Sequence, residues 1–134
     1  MQAWLMPYAP TVLALGAAGA LFLVQLLVLD FAGIAARHRP GTPVEPDPGK
    51  FLFRAYRSHA NTNESIAAFL LLALFGIFSA ASPGWLNALA WLYVAARTAH
   101  MLCYYADVRR ARSASFAISV AALLGILVAD LLAR

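Results

Sequence analysis

Charge is scarce in this chain. Charged side chains make up 12% of its 134 residues, and one cysteine, Cys103, is its whole thiol content. A soluble globular domain carries about a quarter charged residues. With 63% of the chain hydrophobic, too little polar surface remains to solvate a soluble monomer, which points to an integral membrane protein of one domain, residues 1–134. A lone cysteine excludes an intrachain disulfide, and without any CxxC or Cys/His ligand spacing neither zinc nor dithiol redox chemistry is expected, so the metal expectation is none. The formal charge of +4 could suggest a nucleic-acid partner. The basic residues, however, fall mostly in two short segments between apolar runs, where they report on membrane topology, and no nucleic acid is expected.

What the chain does have is long apolar runs. The first covers about residues 11–36 and, at about 1.5 Å per residue, exceeds the ~30 Å hydrocarbon core. A cleaved signal peptide is the competing reading; no Lys or Arg precedes the run, and it is about twice the length of an h-region. The stretch HRPGTPVEPDPGK holds four prolines and two glycines, which cannot continue a helix, so residues 38–50 read as an irregular loop. From Phe51 a helical pattern resumes, first polar and then apolar, over about 51–81 to the break at Ser82-Pro83-Gly84. A third run, 85–105, is apolar except for Asn87, Arg97, Thr98 and His100, and a fourth, 115–132, is apolar with Asp130 near its end. Short connections at 82–84 and about 107–113 require antiparallel neighbours. The expectation is an all-α membrane protein, an up-down four-helix transmembrane bundle.

Arg37, Arg39, Lys50, Arg54 and Arg57 lie in or near the first connection, and Arg109, Arg110 and Arg112 at the third. The second connection is uncharged and the termini carry only Arg134. The positive-inside rule then puts the basic side in the cytoplasm and both termini outside. Arg37, Arg39, Arg109 and Arg110 are assigned by default to anionic headgroups.

Two polar stripes exceed what topology needs. Arg54, Arg57, Asn61 and Glu64 are spaced 3, 4 and 3, as are Arg97, His100, Tyr104 and Asp107. At 100° per residue each set falls within an arc of about 80°. On antiparallel neighbours the two stripes would face each other around a shared cavity at the cytoplasmic end. A purely structural network, pairing Arg57 with Glu64 or Asp107 and Arg97 with Glu64, is the alternative. It would leave arginines in excess of acids in a low-dielectric site, whereas an anionic ligand would complete the balance.

These segments carry a family resemblance. Arg54-Ala-Tyr-Arg57-Ser-His59-Ala-Asn61-Thr-Asn-Glu64, with Arg97-Thr-Ala-His100-Met-Leu-Cys-Tyr104 and Arg112-Ser-Ala-Ser-Phe116, resembles the signatures of the MAPEG family, membrane-associated proteins in eicosanoid and glutathione metabolism. The likeness is nearest to its microsomal glutathione transferase and membrane prostaglandin E synthase type. The resemblance implies a homotrimer with glutathione as co-substrate between adjacent subunits near the cytoplasmic face. It places Arg57, Asn61 and Glu64 on the tripeptide from the second helix, His100 and Tyr104 from the third, and Arg54 in support. Arg112 would stand by the sulfur, with Ser113 adding a hydrogen bond.

The chain departs from the family pattern at Phe53, at Ser65 and in a Tyr104–Arg112 connection about one residue short. Arg109 and Arg110 are therefore alternatives for the sulfur-facing cation. The implied activity is a glutathione transferase, with peroxidase or isomerase activity a variant of it, acting on lipophilic electrophiles or lipid hydroperoxides from the bilayer. The expected location is a bacterial inner membrane or its equivalent. A non-catalytic lipid-binding or scaffold protein of the same family is the alternative. A small transporter is a third reading, opposed by the confinement of the polar stripes to one end.

Several other residues are given lesser roles. His59, about 160° from Arg57, is expected to face a neighbouring subunit or the headgroups. Asp30 is expected to pair with an arginine of the basic side, Cys103 to pack, and Trp85 and Trp91 to anchor at the interface or core.

Overall fold

The structure, a computed structural model, describes residues 2–133; Arg134 lies outside the described residues. A 3-10 turn, Ala3–Tyr8, leads into α1 (Ala9–Ala35), followed by α2 (Phe51–Phe78), α3 (Pro83–Tyr105) and α4 (Arg109–Leu131). α1 starts before the expected Thr11 because Pro10 occupies its first turn, where the backbone N–H has no intrahelical acceptor in any case. Pro83 opens α3 in the same way, two residues before the expected start.

Three helices end in the same hydrogen-bonded motif. After α1, His38 N–H donates to Gly33 and Arg37 N–H to Ile34; after α2, Ala81 to Gly76 and Ala80 to Ile77; after α3, Val108 to Cys103 and Asp107 to Tyr104. The turning residues Arg37, Ala80 and Asp107 have φ of 53°, 57° and 55°, a left-handed conformation in which glycine is usual. That closure ends α2 at Phe78, short of the expected Ala81.

The largest correction falls on α4. It begins at Arg109 and not at Ser115, so Arg109, Arg110 and Arg112 stand in its first turns and the third connection is only Ala106-Asp107-Val108. Arg and Ala are strong helix formers, and this preference carries the helix through its first turns although cations at a helix N-terminus are mildly unfavourable.

Pairs across the bundle fix its sense. Phe22 meets His59 and Gln25 meets Ser58; Asn61 meets Arg97 and Ser65 meets Tyr93; His100 meets Phe116 and Leu89 packs against Gly125. In each series one helix rises as its neighbour falls, which is the up-down order. α1 packs on α2 and α3, and α4 packs on α3 and α2. α1, with the turn before it, α2 and α4 are long and apolar enough to cross a membrane. The 23-residue α3 falls short of that apolarity because it carries Asn87, Arg97 and His100.

The core lies in the half of the bundle away from the arginines. Ala14, Ala18, Ala73, Ala90 and Ala122 let the helices approach closely, and Phe69 stacks on Tyr93 with centroids 4.2 Å apart. Gly76 makes a close approach here: a Cβ would run into Asp130 Oδ1 and stand 3.0 Å from Leu86 Cδ2, so a larger residue would have to displace those side chains. The end of the bundle remote from the arginines is clasped by Asn87, whose Oδ1 accepts from Thr11 N–H (3.1 Å) and Thr11 Oγ1 (2.7 Å), while its Nδ2 donates to Pro7 O (2.9 Å). Tyr8 hydroxyl donates to Ala81 O at 2.7 Å. Asn87→Ala removes three bonds between α3 and the start of α1. It should cost about 1–3 kcal/mol, read as a lower unfolding temperature in detergent.

Candidate functional site

At the opposite end the polar residues of α2 come inward in order. Arg54, one turn into the helix, donates from Nη1 to Pro48 O and Gly49 O, both at 2.9 Å, and so ties the end of the Pro-rich loop to α2. Arg57 follows one turn later and makes no hydrogen bond or ion pair to any described residue. It lines a cavity of about 370 Å³ together with Arg54, Tyr104, Asp107, Arg109 and Arg112. Asn61, a further turn along, lines a smaller cavity of about 200 Å³ with His100, Tyr104, Arg112, Ser113 and Phe116. Tyr104 and Arg112 belong to both, so the two cavities share a wall.

Arg97 ties α3, which carries Tyr104, to α2, which carries Arg57 and Asn61. Its side chain is fully buried, with Nη1 donating to Asn61 Oδ1 and Nη2 to Thr62 Oγ1, each at 2.9 Å. One turn further, His100 is 2% exposed, its ring edge-on to Tyr104 at 5.0 Å and 6.0 Å from Phe116. Its Nδ1 is buried without a partner among the described residues.

Arg112 comes from the opening turns of α4, and its guanidinium carbon lies 4.4 Å above the centre of the Tyr104 ring. The unpaired N–H groups of a helix N-terminus carry partial positive charge, so three arginines there add to that field and invite an anion. Asp107, at the turn before α4, approaches Arg109 at 3.9 Å. Ser113 hydroxyl donates to Arg109 O at 3.3 Å, a long bond that leaves it able to rotate.

The proposed ion pairs of Arg57 with Glu64 or Asp107, and of Arg97 with Glu64, do not form. The ion pairs among the described residues are Lys50 with Glu45 and Asp47, and Arg109 with Asp107. Arg97 takes neutral oxygens of α2 instead, because Asn61 and Thr62 face it directly. Glu64 lies on the exposed side of α2 and lines neither cavity.

Outside the site, His59 turns out to face its own chain, stacked at 4.7 Å on Phe22 of α1, since α1 packs along that side of α2. Asp30 is exposed and pairs with no arginine among the described residues. Trp85 and Trp91 are exposed at 67% and 42%, on the outside of the bundle.

Sequence reasoning missed the hydroxyls. Ser58, Thr62 and Ser65 run down the inward side of α2, and Ser65 meets Tyr93 hydroxyl at 2.8 Å. Their 4, 3 spacing within a membrane helix was the available signal.

Fold and site together define a multi-pass α-helical membrane protein with a cationic cavity at one end of its bundle. Such an arrangement suits a small anionic ligand. The chain belongs to the MAPEG family, whose family model matches residues 6–132. Members of that family are typically glutathione-dependent enzymes. No curated protein matches the chain.

Because Arg97 holds Asn61 and Thr62 in place, Arg97→Met keeps an unbranched apolar stem, removes the guanidinium and strands both acceptors. It should lower stability by about 1–3 kcal/mol. Thermal unfolding in detergent, compared with the outward-facing Trp91→Phe, measures the difference; equal unfolding temperatures would remove Arg97 as the brace.

Proposed function

We propose that this protein is a membrane-bound glutathione transferase, with peroxidase activity toward lipid hydroperoxides a variant of the same chemistry, and that it acts on lipophilic electrophiles drawn from the bilayer. The observation that carries this reading is Arg112. It lines both cavities, stands in the opening turns of a helix and rests on Tyr104 with no acidic partner among the described residues.

The donor set suits a tripeptide with two carboxylates, an ammonium and a thiol. Arg57 is free to take a carboxylate, with Arg54 in support; Asn61, His100 and Tyr104 supply hydrogen bonds and shape. Glu64 is the single acid of α2 and the natural partner for an ammonium. It lies about 20 Å along the helix from Phe51 and is exposed on a single subunit. A carboxylate facing lipid at that depth is costly, and a second copy packed over this face would cover it. This supports a homotrimer with its site between subunits. On the same reading α3 is the fourth crossing, the site faces the cytoplasm, and both termini lie outside a bacterial inner membrane or its equivalent. Membrane lipids are the immediate surroundings and the route of the lipophilic substrate.

Bound glutathione supplies the nucleophilic thiol. A free thiol of pKa ~8.5 is mostly protonated at neutral pH, and lowering that value by two units needs about 2.7 kcal/mol. A guanidinium at about 4 Å offers about 4 kcal/mol at an effective dielectric near 20. The N-terminus of α4 adds roughly 0.3–1 kcal/mol. Arg112 is thus sufficient in magnitude, and Ser113, after rotating from Arg109 O, can donate to the sulfur. Arg109 lines the larger cavity and Arg110 lines neither, which makes Arg112 the first choice among the three.

Two expectations follow for assembly and binding. The solubilised protein should have a protein mass near three times 14.4 kDa, and a monomer that still binds glutathione would refute a site between subunits. Glu64→Gln should weaken glutathione binding by about 1.5–3 kcal/mol, the worth of a hydrogen bond to a charge. Calorimetry on the intact trimer measures this, and unchanged affinity would make Glu64 structural.

The chemistry is tested by the ultraviolet absorbance of the bound thiolate against pH. Wild type should show a thiol pKa well below ~8.5, and Arg112→Leu should return it toward that value while the tripeptide still binds. Absence of a depressed thiol pKa in wild type, or of glutathione-dependent thermal stabilisation, would favour the non-catalytic lipid-binding reading. A depressed pKa lost in Arg109→Leu but kept in Arg112→Leu would move the role to Arg109.

A further inference from the structure

The cavity of about 200 Å³ between α2, α3 and α4 is lined by hydrogen-bond donors and by no acid among the described residues. Small-molecule sites usually span roughly 300–1,000 Å³, so this compartment takes the reacting end of a substrate and leaves its hydrocarbon outside. The bonds around it show which atoms face in. Arg97 Nη1 occupies Asn61 Oδ1, which leaves Nδ2, a donor, as the free end of the amide. Arg112 and Ser113 come from the opening turns of α4, the Ser113 hydroxyl held only by its 3.3 Å bond to Arg109 O.

His100 completes the set. Its side chain is 2% exposed, and Nδ1 is buried with no partner among the described residues. Nε2 also makes no hydrogen bond to them but is not shut away, so it is the ring nitrogen that reaches the cavity. A bare lone pair buried at Nδ1 costs less than an unmet N–H, which puts the proton of the neutral ring on Nε2. Tyr104, edge-on at 5.0 Å, and Phe116, at 6.0 Å, hold the ring in place. Phe116 is itself 41% exposed, so the wall beside His100 leads to the outside of α4, from which a lipophilic molecule arrives.

We propose that His100 is a catalytic residue of this site, its Nε2–H donating to the oxygen on which charge develops when a hydroperoxide is reduced, so that the site discriminates an oxygen leaving group from a halide. The inference rests on the thiol chemistry proposed above. In that step a sulfur–oxygen bond forms at the terminal oxygen and the O–O bond breaks. Both its electrons pass to the oxygen bound to carbon, which takes a proton from water to become the alcohol. A second thiol then forms the disulfide and releases water, so two thiols are oxidised and one hydroperoxide is reduced. Arg112 and Ser113 are committed to the sulfur and Asn61 to the tripeptide, which leaves His100 for the departing oxygen. A donor already in place when that charge appears lowers the barrier; chloride, a stable anion, gains little from one.

The test compares cumene hydroperoxide with 1-chloro-2,4-dinitrobenzene at saturating glutathione, using the full-length protein in detergent. His100→Phe keeps a ring of similar shape and removes the donor. It should lower kcat/KM for the hydroperoxide about a hundredfold more than for the aryl chloride, the lower end of what losing one preorganised donor costs. The loss should be larger still with tert-butyl hydroperoxide, whose leaving alkoxide is more basic. His100→Gln, which keeps an N–H, should restore part of the difference. Nitrogen NMR of protein labelled at its three histidines gives a readout apart from turnover, in which the His100 ring should carry its proton on Nε2.

Equal losses with both electrophiles in His100→Phe, or a His100 ring protonated on Nδ1, would overturn this assignment and leave the proposed function standing. So would a wild type that conjugates the aryl chloride and does not reduce the hydroperoxide. A wild type that turns over neither would overturn both.

Discussion

The arrangement of the polar end depends on one buried cation. Arg97 has no exposed surface, and its two terminal nitrogens are spent on Asn61 and Thr62 of the neighbouring helix. A guanidinium at membrane depth is expensive unless its donors are met, so the two helices gain most at the single register in which those oxygens face it. That register carries the rest. It brings Asn61 level with His100, sets Tyr104 one turn further on, and leaves Tyr104 as the platform on which Arg112 rests. Nε of Arg97 remains without a partner, so the brace is anchored on one side only.

The other half of the bundle is built on the opposite principle. Small residues bring the helices together, and Phe69, Tyr93, Leu86 and Ile126 fill the space between them. At the end remote from the arginines Asn87 is spent on Thr11 and Pro7 and Tyr8 on Ala81, while the Asp130 carboxylate stays buried without a hydrogen-bond partner among the described residues. A packed apolar half leaves no polar route through the subunit from the arginine cavities to the far side, which weighs against a transport role. It suits a site open at one end of the bundle, reached by a polar ligand from water and an apolar one from lipid.

How much of this could be read from the sequence depended on whether a residue's role was set along its own helix or by a neighbour. Spacings of 3 and 4 put Arg57 and Asn61, and His100 and Tyr104, on two stripes, and the structure brings those four to cavities that share a wall. Helix number and up-down order followed equally well from the apolar runs and proline breaks. The start of α4 did not, because arginines compatible with a loop are as compatible with an exposed first turn. Partners across helices were least legible. A pairing of Arg97 with Glu64, the alternative that charge alone offers, does not form, because geometry gives Arg97 to Asn61 and Thr62; His59 was judged from the angle on α2 alone, which cannot show that Phe22 of α1 lies alongside.

Glu64 and Asp130 show two solutions to the same difficulty. Both are acids within membrane helices, and neither forms an ion pair among the described residues. Asp130 is buried in its own subunit against Gly76, with neither carboxylate oxygen hydrogen-bonded among the described residues. Glu64 is left on the outside of α2, with Arg97 behind it near enough to act on it electrostatically but too far for an ion pair. The first acid is kept from lipid by burial alone. The second depends on what covers that face, since a single subunit leaves the carboxylate exposed about 20 Å along its helix. A neighbouring copy and a ligand ammonium would together supply the missing surroundings, so the electrostatics of the isolated chain argue for assembly and ligand binding at the same place.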